Sequence, residues 1–136
     1  MAMRGSLQAY KRVSVDSQLT AATPHRIVQM LMAGAIERLI QGKAAMEQGS
    51  IAAKGERLGK AMDIVMSLRA CLSMEDGGEI ASNLDALYDF MIHQISEANH
   101  HNKPEMLDDV VGILREIKSA WDQIPAEYHN MTQLEN

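Results

Sequence analysis

The apolar residues of this chain recur every third or fourth position in four separate blocks. That is the period of amphipathic helices with one face buried. The block over residues 77–99 sets Ile80, Leu84, Leu87, Met91, Ile95 and Ala98 at steps of four, three, four, four and three. A second line, Leu84, Tyr88, Met91, Ile95 and Ala98, runs beside it. An arc this wide predicts a helix that needs cover on more than one side.

The other blocks predict three more helices. Thr23-Pro24 places a side-chain oxygen at N-cap and Pro at the first helical position. The helix it starts runs from residue 24 to about residue 48, with Ile27, Leu31, Ala35, Leu39 and Met46 on its core face. Val28, Met32, Ile36 and Ile40 form a neighbouring line. Gly34, mid-helix, costs about 1 kcal/mol relative to Ala, and close approach of another helix would explain it. Gly49 is the expected C-cap and Ser50 the cap of a second helix, to about residue 72. Leu58, Ala61, Val65, Leu68 and Leu72 mark its face. So short a connection makes these two helices antiparallel neighbours.

Residues 73–78, with Asp76-Gly77-Gly78, break the pattern before the 77–99 block. Pro104 opens a fourth helix, to about residue 123. It carries Leu107, Val110, Leu114, Ile117, Trp121 and Ile124 on one stripe and Met106, Val110, Ile113, Ile117, Ala120 and Ile124 on another. Pro125 ends it. The expected fold is all-α, an antiparallel up-down-up-down four-helix bundle. It comprises an arm over residues 1–22, a bundle over 23–124 and a tail over 125–136. Tyr128, Met131 and Leu134 of the tail suit a short amphipathic turn. In the arm, Leu7 and Tyr10 lie three residues apart on one side of a helical turn and are expected to dock. Helices three and four carry more apolar surface than one core stripe needs. The excess reads as surface covered by the arm and tail, or as a groove for a partner helix.

Composition narrows the function. The 136 residues, 46% of them hydrophobic, suit one compact domain. Eleven Met residues point to core filling or to a surface that adapts to its partner. Aromatic residues make up 4%, too few for a stacking platform. A net charge of −5 argues against general affinity for nucleic acid or anionic lipid. The arm differs, with Arg4, Lys11 and Arg12 against Asp16. Cys71 is the single cysteine, so no internal disulfide forms, and its apolar helical setting predicts a buried, inert thiol. Neither a signal peptide nor a membrane-spanning run is expected, which gives a cytoplasmic reading.

Candidate chemistry is sparse. Glu97-x-x-His100 matches one element of bundle di-iron sites, but the second such pair those sites need is missing. His100 and His101 suit the C-terminal end of a helix dipole. His25 is expected on an exposed first turn. Gly77-Gly78 reads as a helix–helix turn, since Glu75, Asp76 and Glu79 around it disfavour an anion. No Ser, Cys or Lys has a base beside it at a strained turn. No catalytic residue, cofactor or metal site is expected.

Several elements together resemble a known family, the FliS flagellin export chaperones. They are Tyr10 with Val13-Ser14-Val15, then Thr23-Pro24-His25-Arg26-Ile27-Val28-Gln29-Met30-Leu31 with Gly34-Ala35. Gly49, Ile51 and Lys60-Ala61 follow, then Gly78-Glu79-Ile80-Ala81-Ser82-Asn83-Leu84, Leu87-Tyr88, Ala98-Asn99 and Trp121. The sequence departs from the family at Met32-Ala33, where an aromatic and an acid are usual, and at Phe90, where Tyr is common. The resemblance implies a four-helix bundle with an N-terminal cap segment. It implies binding of the disordered C-terminal segment of flagellin, prevention of premature polymerisation, and delivery to the type III export gate. The cytoplasmic domain of the gate protein would meet the chaperone–flagellin complex there. On this reading Leu7 and Tyr10 form a movable cover, and Leu84, Tyr88, Met91, Ile95, Ile113 and Ile117 are the groove candidates. Two other classes stay open: a metal-binding bundle, and a bundle that hides its surplus stripe by dimerising.

Overall fold

The computed structural model describes residues 23–128. The arm with Leu7 and Tyr10, and Met131 and Leu134 of the tail, lie outside the described residues. Four helices follow in order: α1 (Pro24–Glu47), α2 (Ile51–Ala70), α3 (Met74–His101) and α4 (Pro104–Asp122). A short 3-10 turn, Ala126–Tyr128, comes after them. Among the described residues there is no strand. Each helix packs beside two others, α1 against α2 and α4, and α3 against the same two. This is the expected up-down-up-down bundle.

Local chemistry sets the helix ends. Thr23 Oγ1 accepts from the Arg26 amide at 3.2 Å, which satisfies one orphan donor at the start of α1. At the other end the Ser50 amide donates to Ala45 O at 2.9 Å and the Gly49 amide to Met46 O at 3.2 Å. That pair of bonds is a Schellman motif, and Gly49 holds the φ of +76° that it requires. Ser50 stands at the N-cap of α2 but makes no side-chain capping bond. The break expected over residues 73–78 is shorter than predicted. Met74 already begins a helical turn, and the interruption is confined to Gly78, at φ 55° and ψ −129°. Asn102 ends α3 in the left-handed region at φ 56°. Pro104 then starts α4.

The core is built from Val28, Met32, Ala35 and Leu39 of α1, Leu58, Ala61, Val65 and Leu68 of α2, Tyr88, Met91, Ile95 and Ala98 of α3, and Leu107, Val110, Leu114 and Trp121 of α4. In α1 the buried stripe is the line through Val28 and Met32. Ile27, expected in the core, is exposed, as is Ile40.

Three expectations from sequence fail for reasons of packing. A Cβ at Gly34 would stand 3.6 Å from Ile64 Cδ1, which is ordinary contact, so the close approach lies elsewhere. It lies at Gly42, where a Cβ would overlap the Leu58 side chain. His25 is buried, 2% exposed, because the last turn of α4 covers the first turn of α1. Cys71 is exposed, because α2 ends at Ala70 and the thiol falls at the C-cap, outside the apolar face.

Candidate partner-binding surface

On α3 the arc of 100° per residue separates two sets of apolar side chains. Tyr88, Met91 and Ile95 point into the bundle and are fully buried. Burial pushes the Tyr88 phenol well above its ordinary range, with a smaller contribution from Cys71. Leu87 and Phe90 emerge on the flank, and Phe90 is 45% exposed. Ile80, near the start of the helix, is 61% exposed. On α4, Leu107, Val110, Leu114 and Trp121 face inward, while Met106, Ile113 and Ile117 are only partly buried against the core.

These flanks meet in an open groove of about 510 Å³ between α3 and α4. Phe90, Gly112 and Ile113 supply its apolar lining, and Asp108, Asp109 and Glu116 its acidic side. Asp108 is held from across the bundle by Lys43 of α1 at 2.9 Å. The hydrogen bond to Asp108 is the main cause that raises the Lys43 ammonium above its ordinary value.

Of the residues singled out from sequence, the structure brings Ile113 into this groove. Ile117 and Leu84 lie partly buried against the core. Tyr88, Met91 and Ile95, expected as groove residues, are instead fully buried in the core and present no surface, because α3 turns them toward the other helices. Phe90 was missed as a binding candidate, since it falls on neither apolar line of the 77–99 block. A lone aromatic displaced from the stripe was the available signal.

The opposite flank of α3 is closed by charge. Arg69 of α2 makes a two-pronged contact with Asp85, Nε to Oδ1 at 2.7 Å and Nη2 to Oδ2 at 3.2 Å. Its Nη1 also donates to Asp89 at 3.1 Å. The hydrogen bond from Arg69 holds the Asp85 carboxyl below the usual carboxylate range. At the α1–α4 junction, Gln29 donates to Asp122 at 2.7 Å and Lys118 to the same carboxylate at 2.9 Å. Among the described residues no grouping of three His, Cys, Asp or Glu side chains is arranged to hold a metal ion. His101 instead pairs with Glu97 at 3.2 Å. No helix among them is long and apolar enough to cross a membrane.

The bundle leaves Ile80, Leu87 and Phe90 exposed on α3, besides Ile27 and Ile40 on α1 and Ile51 and Met66 on α2. Comparison with known proteins identifies the kind of bundle. The family model described as flagellar protein FliS matches residues 6–128. The flagellar secretion chaperone FliS of Vibrio cholerae serotype O1 is 78% identical over 98% of both chains. The flagellar secretion chaperone FliSB of Pseudomonas aeruginosa is 46% identical, over 88% of this chain and 94% of its own. FliS of Salmonella typhimurium is 44% identical, over 87% of this chain and 88% of its own. The chain belongs to the FliS family of flagellar secretion chaperones, which is non-enzymatic.

Proposed function

We propose that this chaperone binds the disordered C-terminal segment of flagellin, keeps it from polymerising before export, and hands it to the type III export apparatus. The observation that carries this reading is the open apolar groove between α3 and α4, with Phe90 and Ile113 on its walls. A disordered segment that folds as a helix on such a surface buries its apolar stripe, and the ordering entropy moderates the affinity. Leu84 and Ile117 extend the surface. Leu7 and Tyr10 of the arm are the movable cover, displaced when the segment docks. The complex then meets the cytoplasmic domain of the export gate protein. The chaperone works in the cytoplasm, where unexported flagellin accumulates.

The test is co-purification and calorimetry with a flagellin C-terminal peptide. Ile113→Asp is expected to abolish binding and leave helicity by circular dichroism intact. Unfolding of that variant would make Ile113 a core residue and displace the groove. A native protein that sediments as a dimer and ignores the peptide would overturn the reading.

A further inference from the structure

The groove contains a glycine against which nothing in the described bundle packs; Gly55 and Gly59 of α2 are open in the same way but do not line the groove. Gly112 stands inside α4, has no positive φ, and a Cβ built on it meets no atom within 4 Å. Gly42 differs, since Leu58 packs where its side chain would be. A glycine inside a helix weakens that helix relative to alanine, and nothing packed against Gly112 among the described residues accounts for it. Gly112 lies in the groove lining together with Phe90 and Ile113, and Asp109 and Glu116 border the same groove as exposed carboxylates.

We propose that Gly112 is the point of closest approach for a helical segment of the partner, and that this segment carries Lys or Arg along the flank beside Asp109 and Glu116. The inference rests on the flagellin reading above. The distance between two packed helices depends on the side chains at their contact, and a missing side chain lets the backbones come nearer. With Gly112 bare, the guest helix settles deep enough for its apolar stripe to reach Phe90 and Ile113 together. The carboxylates attract a basic flank and repel an acidic one, which fixes the orientation of the guest.

The experiment uses the full chain and a synthetic peptide of the flagellin C-terminal segment, with affinity read by calorimetry at low and high salt. Gly112→Leu is expected to keep native helicity and thermal midpoint and to weaken the peptide by about tenfold or more. Gly112→Ala is expected to raise the midpoint and weaken binding by about threefold. High salt is expected to weaken native binding, and replacing the Lys and Arg of the peptide by Gln to remove that dependence. A folded Gly112→Leu that binds within twofold of the native chain overturns the approach point. If Gly112→Leu loses helicity, native affinity in Gly112→Ala overturns it instead. Salt-independent binding overturns the basic flank. A native chain that fails to bind the peptide at all rejects the flagellin reading itself, a result distinct from these.

Discussion

His25 and Trp121 exchange hydrogen bonds in both directions across the end of the bundle. The indole Nε1 donates to His25 O at 2.9 Å, and His25 Nε2 stands 2.7 Å from Trp121 O. The rings stack with centroids 5.1 Å apart and planes 10° from parallel. The first turn of α1 and the last turn of α4 are thereby fixed to each other. This junction also lies beside Thr23, where the arm joins the described chain. Trp121→Phe keeps the stacking surface but removes the indole hydrogen bond to His25 O. The expected cost is about 0.5–1.5 kcal/mol of stability, measured by urea denaturation, and a cost near zero would show that water replaces the indole.

Phe90 and Met91 are adjacent in sequence and opposite in environment. Met91→Ala opens a cavity in the core and is expected to cost about 2–5 kcal/mol. Phe90→Ala is expected to cost about 1 kcal/mol or less while weakening the flagellin peptide severely. Chemical denaturation and peptide titration on the two variants separate these effects. Binding unchanged in Phe90→Ala would remove the groove from the partner surface.

The two α1 glycines that face α2 respond to a methyl group with opposite sign. Gly42→Ala drives a Cβ into Leu58 and is expected to destabilise by about 1–3 kcal/mol, despite its better helix propensity. Gly34→Ala makes ordinary contact with Ile64 and is expected to gain up to about 1 kcal/mol. Thermal melts of the two single variants decide the matter.

Asp85 makes stability depend on acid. Its carboxyl is held below the ordinary value of 3.8 in the folded chain by the hydrogen bond from Arg69. Between the folded and unfolded values the unfolded chain therefore binds more protons. The stabilisation is fully present above the unfolded value and is lost as pH falls through the folded one. Asp85→Asn is expected to lower the thermal midpoint at neutral pH and to shrink the drop between about pH 6 and about pH 3. An undiminished drop in the variant would assign acid sensitivity to other carboxylates, Asp122 among them.

The sequence by itself determined the four helices, because a period of three and four is a property of one segment and its caps are local. Thr23-Pro24, Gly49 and Pro104 each act within one turn of the backbone, and each marks a helix end in the structure. The family was legible for a related reason, since the order of short motifs along a chain survives without coordinates. The tertiary structure decided which part of a wide apolar arc is core. Nothing local separates Met91 from Leu87, both on the first apolar line; the neighbouring helices cover one and leave the other at the flank. It also decided that Gly42 rather than Gly34 lies at the tight crossing, and that His25 is buried against Trp121, 96 residues away. Each depends on how helices distant in sequence approach one another, and a segment read alone carries no record of its neighbour.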